Sequence, residues 1–360
     1  MFLLELGEML SAGDVMMPYA AVLAANSMLA LLSLSTPSRF RILRWPFALV
    51  AAVVLTLFIG TRDQVGVDWE RYEEVFYSIT SLPVIVGITL TEPGYALCNY
   101  LTLALGGDIH IVNLICATVL IASVLRYASL VKVDPSFALF LSTPYLLFVV
   151  GMGYTRQSVA IGLALCAIGY LGQNRVRMFY LLAILASLFH FSALVLILLV
   201  WLDSWRCLII GLLFVAVLVQ PVSQILSEPR YGQYLSDQQS SGVWFRLGIV
   251  MIGAAAVFVF HRRWAEDRCL YRLIKKATAV CLVLLPFALF SSTLVDRCCL
   301  YLFFLFLLGF GRAIGYSNKS FRSVTLVATF VFTYLTFGVW FMTSSYAAAY
   351  WLPYHSVLAQ

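Results

Sequence analysis

Residues 109–172 read IHIVNLICATVLIASVLRYASLVKVDPSFALFLSTPYLLFVVGMGYTRQSVAIGLALCAIGYLG, 64 residues with only four Asp, Glu, Lys or Arg side chains: Arg126, Lys132, Asp134 and Arg156. They hold three apolar runs, 109–130, 136–152 and 156–172, each long enough to cross a hydrocarbon layer about 30 Å thick. A lipid-embedded backbone must satisfy its own polar groups, so runs of this length are helices.

Similar stretches recur at 17–35, 45–61, 178–202, 206–226, 245–260, 277–294, 299–315 and 322–342. Of 360 residues 62% are hydrophobic and 11% charged, against about 25% charged in a soluble domain. With a mean hydropathy of +0.94, these features exclude a soluble enzyme, a disordered chain and a coiled coil. The fold expected is all-α: a polytopic helical membrane protein forming one integral membrane domain over 1–360, with about 11–12 passes. The eight cysteines lie mostly inside apolar runs without ligand spacing and read as small core residues. The net charge of +6 falls in short clusters between spans, which predicts membrane lipids as partners and no nucleic acid. No Lys or Arg precedes the first run, so it lacks the basic start of a cleavable signal and is expected to be retained.

The clusters Arg39/Arg41/Arg44, Arg126/Lys132, Arg175/Arg177, Arg262 to Lys276 and Arg312/Lys319/Arg322 predict cytoplasmic loops. Three runs lie between Arg177 and Arg262, an odd number, so one must be interrupted. The stretch 178–202, with the polar His190 at its centre, is expected to be a broken or hairpin helix. The inside then collects 17 basic and four acidic residues and the outside six basic and 13 acidic; the outer basic residues are all arginines and all four lysines lie inside. A planar guanidinium fork suits phosphate better than a lysine point charge. Two outer loops exceed simple turns, 61–108 and 227–243, and the first carries short apolar pieces, SLPVIVGITL from Ser81 and EPGYALCNYLTLALGG from Glu92, read as interfacial or re-entrant helices. Loops of this length usually carry function.

Within 61–77, TRDQVGVDWERYEEVFY packs five acids and two arginines among aromatic side chains, a set suited to sugar or phosphate chemistry. Asp68 and Asp63 are candidate general bases for a sugar hydroxyl; the alternative makes Asp68, Glu70, Glu73 and Glu74 the wet face of an amphipathic helix. Glu92 opens TEPGY, where a turn could hold a carboxylate at the membrane entry, or where it could simply cap a helix whose first residue is Pro93. Arg156 and Gln157 follow GMGY; an arginine at this depth points to an anionic partner or snorkels to lipid phosphate. His190 in SLFHFSA is a lone histidine, structural or functional. Asp296 and Arg297 either pair with each other or leave Arg297 to clamp a diphosphate above Tyr301. Arg230 and Tyr231 add a polar and aromatic mixture in the second loop. The chain has no nucleotide, dinucleotide or metalloprotease motif, and no metal site or cofactor is expected.

The ordered series VGVDWERYEEVF, TEPGYALCNYL, YTRQSVAIGLAL, SLFHFSALVLIL, VDRCCLYLF and WLPYHSVL resembles the EpsG family, Wzy-type polymerases of bacterial surface polysaccharides, from about the second span to the C-terminus. The resemblance implies an enzyme of the bacterial inner membrane that joins undecaprenyl-diphosphate-linked oligosaccharide repeat units at the periplasmic face. A flippase and a chain-length regulator of the same pathway are the implied protein partners. Its motif positions here are Asp68, Tyr72, Glu92, Pro93, Tyr95, Arg156, Gln157, His190, Arg297, Pro353 and Tyr354. Catalytic roles are thus expected of Asp68, Glu92, Arg156, His190 and Arg297, with a carboxylate as general base and arginines on the leaving diphosphate. Substrate contacts are expected of Arg62, Tyr72, Tyr95, Gln157, Arg230, Tyr231, Tyr301 and Tyr354. A flippase of a lipid-linked glycan, a glycan ligase and a membrane acyltransferase are the competing readings.

Overall fold

The computed structural model describes residues 2–201, 240, 242–260, 268–289 and 292–359. The expected span 206–226, most of the loop 227–243, and with it Arg230 and Tyr231, lie outside the described residues. Among those described, every regular element is helical; the only extended pairing is an isolated antiparallel bridge between Arg62 and Ser356.

The helices are α1 (Phe2–Ser35), α2 (Arg44–Gly60), α3 (Trp69–Thr80), α4 (Val84–Leu90), α5 (Pro93–Ala104), α6 (Ile109–Leu130), α7 (Pro135–Gly153), α8 (Thr155–Gly172), α9 (Val176–Phe189), α10 (Val195–Trp201), α11 (Val243–Val259), α12 (Arg268–Phe287), α13 (Ser292–Tyr316), α14 (Lys319–Thr343) and α15 (Ser345–Tyr350). Among the described residues five stretches are long and apolar enough to cross a membrane: Val15–Ser35, α6, α7, α13 and Ser320–Thr343 of α14. Helices α2, α9 and α11 are shorter and apolar. The expected break at His190 is present: α9 stops at Phe189, and after His190 the chain resumes as a 3-10 turn, Phe191–Leu194. The loop 61–108 carries three short helices, α3 to α5, where the apolar pieces led us to expect two. The third, α3, is the amphipathic 69–80 segment, which buries Trp69, Tyr72, Phe76 and Ile79 and leaves Glu70 and Glu74 exposed. Helix α12 begins nine residues before the run at 277, because its first turns, RCLYRLIKK, are charged on one side and invisible to a search for apolar runs.

Residue contacts divide the chain into two units. The first comprises 1–166, 188–190 and 317–360. In it α1, α2, α6 and α7 pack on one another, with α7 wholly buried. Pro144 removes a backbone donor inside α7, and the helix widens to π geometry over Thr143–Val150. The hydroxyls of Ser142 and Thr143 donate to the carbonyls of Ala138 and Leu139 at 2.7 and 2.8 Å, satisfying backbone where lipid offers no water. At the start of α7, Asp134 accepts from the Phe137 amide, from Ser33 of α1 through both carboxylate oxygens, and from Arg44 of α2 at 3.4 Å. One carboxylate thereby fixes the ends of three helices.

The C-terminal segment closes this unit. Trp351 is buried, donates from its indole nitrogen to the Phe148 carbonyl at 2.9 Å, and accepts at its own carbonyl from Tyr19 at 2.8 Å. Backbone bonds tie Asp63 to His355, Val357 to Thr61 and Gly66 to Tyr350. The second unit, 167–187 and 191–316, is built on α11 against α13, with α12 packed on both; Arg246 of α11 and Asp296 of α13 form a buried ion pair within it.

A Cβ at Gly153 would sit 2.6 Å from the Trp351 ring. Gly153→Ala and Trp351→Ala are both expected to lower the melting temperature of the detergent-purified protein, the tryptophan deletion by the equivalent of about 3–5 kcal/mol. An unchanged melting temperature in both would show that the terminal segment does not hold the first unit together.

Candidate functional site

The turn Thr91-Glu92-Pro93-Gly94 sets the site. Thr91 and Glu92 are extended and Pro93 takes the first position of α5, where its missing N–H costs nothing and its fixed φ suits the helix. The Glu92 side chain does not cap α5. Its Oε2 instead accepts from Arg156 Nη1 at 2.5 Å and from the Thr91 hydroxyl at 3.0 Å. The same Arg156 nitrogen donates to Thr91 Oγ1 at 3.2 Å. On its other side, Oε1 faces His190 Nδ1 at 3.9 Å. Gly94 makes that approach possible: a Cβ there would meet the Phe189 ring at 2.9 Å and the Leu188 carbonyl at 3.0 Å. The end of α9 therefore lies directly on the start of α5, and the helix break presents His190 to Glu92.

Arg156 is the second residue of α8 and its guanidinium lies between two aromatic faces, 5.2 Å from the Tyr72 ring centroid and 5.8 Å from that of Tyr95, distances at which a cation is attracted to a ring. The side chains of Arg156 and Glu92 are each 14% exposed, and His190 23%, so the cluster is sheltered yet reachable. Burial by itself would raise the Glu92 carboxyl, but Arg156 first, and His190 with it, hold it below the usual carboxylate range. Burial, and next the charge of Asp68, push the Tyr72 phenol up, so Tyr72 stays neutral. Asp68 is half-buried just before α3 and does not cap it; its charge is felt at the Tyr72 phenol. Gln157 is buried in the next position of α8.

Other expected contact residues take internal roles. Arg62 is 1% exposed and donates to the Ile59 and Val65 carbonyls at 2.7 and 3.1 Å, to Asn113 Oδ1 at 3.1 Å and to the Thr155 hydroxyl at 2.8 Å. Burial lowers it to about 10, against electrostatic support led by Tyr72, which leaves it charged at neutral pH. Tyr354 stacks on Phe58 at 4.2 Å and donates to the Phe58 carbonyl at 2.7 Å. In the second unit, Tyr301 shares a hydrogen bond with Ser192 at 2.8 Å and interacts electrostatically with Arg297, while Asp296 pairs with Arg246 rather than serving only its neighbour.

Sequence reading missed Thr91, whose hydroxyl touches both members of the ion pair, and it gave His110 no partners. His110 lies between Asp63 and Asp108, 3.2 Å from each carboxylate; the signal available was Asp108, whose side chain caps α6 through the His110 amide. Among the described residues no group of three or more His, Cys, Asp or Glu is placed to hold a metal ion.

A family model described as the EpsG family matches residues 45–356. No curated protein matches the chain, and neither does any solved structure.

Because the folded-state value of Glu92 lies below its ordinary 4.5, its ionised form contributes stability that is present above that value and lost as pH falls through the lowered one. The melting temperature of Glu92→Gln should therefore lie below wild type near neutral pH, with the gap narrowing in acid below about 4.5. A gap that stays constant with pH would show that the ion pair does not stabilise the fold.

Proposed function

The chain belongs to the EpsG family, and on that premise we propose that it is a polysaccharide polymerase acting as a lipid-diphosphate-dependent glycosyltransferase, with the Glu92, Arg156 and His190 cluster as its centre. The observation that carries the proposal is the sheltered pairing of an arginine with a carboxylate and a histidine in a chain whose described residues include five helices long and apolar enough to span a membrane. An ionisable cluster sheltered inside a membrane protein is a candidate for a substrate path.

In this reading the acceptor is a sugar hydroxyl of one undecaprenyl-diphosphate-linked repeat unit and the donor is the lipid-linked growing chain. The acceptor oxygen forms a bond to the anomeric carbon as the bond from that carbon to the diphosphate breaks. Negative charge grows on the departing diphosphate, and a fixed guanidinium there lowers the transition state more than the ground state. Arg156 takes that role, with Tyr72 and Tyr95 holding its plane and Gln157 beside it. Arg297 and Tyr301, in the second unit, are proposed to contact substrate as well. Of the two carboxylates expected to act, Glu92 has the stronger support because it touches Arg156 itself, whereas Asp68 acts on the cluster through Tyr72. The donors of Arg62 are given to protein acceptors, so it serves by fixing Thr155 at the start of α8 rather than by touching substrate. The reaction is placed at the periplasmic face of the bacterial inner membrane and needs no metal.

Purified protein incubated with a lipid-diphosphate repeat unit, chelator present, should produce a polymer ladder. Arg156→Ala should reduce it at least about 100-fold, the usual size of losing one donor at a developing charge. Arg156→Lys should remain severely impaired, because a point charge does not reproduce the stacked fork. Asp68→Asn should retain activity within about tenfold of wild type, a loss of no more than about 1.4 kcal/mol in the barrier. Absence of a ladder together with carrier-lipid movement across liposomes would overturn the polymerase in favour of a flippase.

A further inference from the structure

Building on the polymerase reading, we infer that the proton of the acceptor hydroxyl is taken by Nε2 of His190, and that Glu92 acts as the positioning carboxylate behind it. The geometry divides the Glu92 carboxylate between two partners. Oε2 is occupied by a charge-assisted bond from Arg156 at 2.5 Å and by the Thr91 hydroxyl at 3.0 Å. Oε1 is turned toward Nδ1 of His190 at 3.9 Å. A carboxylate engaged in this way is a poor proton acceptor, since protonation would leave the buried Arg156 without its counter-charge. It is well suited to orienting an imidazole. A carboxylate on Nδ1 selects the tautomer with the proton on Nδ1 and leaves the Nε2 lone pair to accept. The distance of 3.9 Å is that of an ion pair without a hydrogen bond, and catalytic hydrogen bonds in substrate-free proteins are often long and shorten when substrate enters.

The fold supports the same assignment. His190 is the single residue between the end of α9 and the following 3-10 turn. The close contact of Gly94 with Leu188 and Phe189 sets its place over Glu92, and its side chain is more exposed than either partner, 23% against 14%. The carboxyl that faces it is held ionised by Arg156, the condition under which it can stabilise an imidazolium. In the transfer step the acceptor O–H bond breaks with its proton going to Nε2. The oxygen electron pair forms the bond to the anomeric carbon of the donor, and the pair of the breaking carbon–oxygen bond leaves on the lipid diphosphate beside Arg156. The imidazolium is paired with Glu92 until it returns its proton to water or to the released diphosphate.

Among the described residues, the titratable groups of this cluster are Glu92 just before α5, Arg156 on α8 and, across Arg156, Tyr72 on α3 and Tyr95 on α5. The test is the pH dependence of kcat for ladder formation by the full-length purified protein with the lipid-diphosphate repeat unit. Wild type should show an acidic limb in the range of an imidazole, not of a carboxylate. His190→Ala and His190→Gln should lower kcat by about 10²–10⁴, abolish that limb, and keep the wild-type affinity for the lipid diphosphate; added imidazole should partly restore His190→Ala. Glu92→Gln should keep the limb but move it to lower pH, because the carboxylate that favours the imidazolium is gone. A limb that persists in His190→Ala, or one that lies in the carboxylate range and vanishes only in Glu92→Gln, would overturn the assignment and make Glu92 the base while leaving the polymerase reading intact. No ladder from wild type at any pH would overturn both.

Discussion

A guanidinium closed off from solvent at Arg62 organises everything around the site. It lies just beyond the end of α2, and its donors reach back to Ile59, forward to Val65, across to Asn113 of α6 and on to Thr155 at the start of α8. The backbone of the same residue pairs with Ser356 of the terminal segment. A buried charge without partners is costly, so these elements are pinned to one arrangement around it. Arg156 follows Thr155 directly, and the placement of the candidate catalytic arginine is thus inherited from a residue whose guanidinium is bonded to the protein itself. The ring of Trp69, 5.7 Å from the Arg62 guanidinium, extends the same constraint to α3 and so to Tyr72.

Each unit keeps a buried arginine beside a carboxylate, Arg156 with Glu92 in the first and Arg246 with Asp296 in the second. The two pairs differ in what surrounds them. Glu92 and Arg156 share a hydroxyl, two aromatic faces and a histidine, a setting rich in groups that can exchange partners with a polar substrate. Arg246 and Asp296 join α11 to α13 among the buried apolar side chains of those helices. The two pairs share a charge pattern and differ in these neighbours.

The all-helical membrane architecture was legible from hydropathy alone, because a backbone in lipid must close its own hydrogen bonds and a 22-residue run such as Ile109–Leu130 has one way of doing so. The break at His190 was legible too, from the parity of basic clusters across 178–202. The ordered short motifs pointed to the family over nearly the whole chain. Each of these is a property of local sequence, read without knowing what lies beside it.

Tertiary structure decided which side chains meet. Whether Glu92 caps α5 or serves a site depended on Arg156, 64 residues away, and whether His190 is inert depended on Gly94 admitting the end of α9. Arg62 and Tyr354 looked like substrate contacts because arginine and tyrosine are the usual residues for phosphate and sugar, yet both bond to the protein's own carbonyls. A side chain's type limits what it can bond to; which partner it meets is set by long-range packing, and pair distances of a few ångströms are not encoded in spacing along the chain. The sequence therefore determined the solvent this protein lives in and the residues available for chemistry, while the packing of α2, α3, α5, α6, α8 and the end of α9 decided which of them stand together.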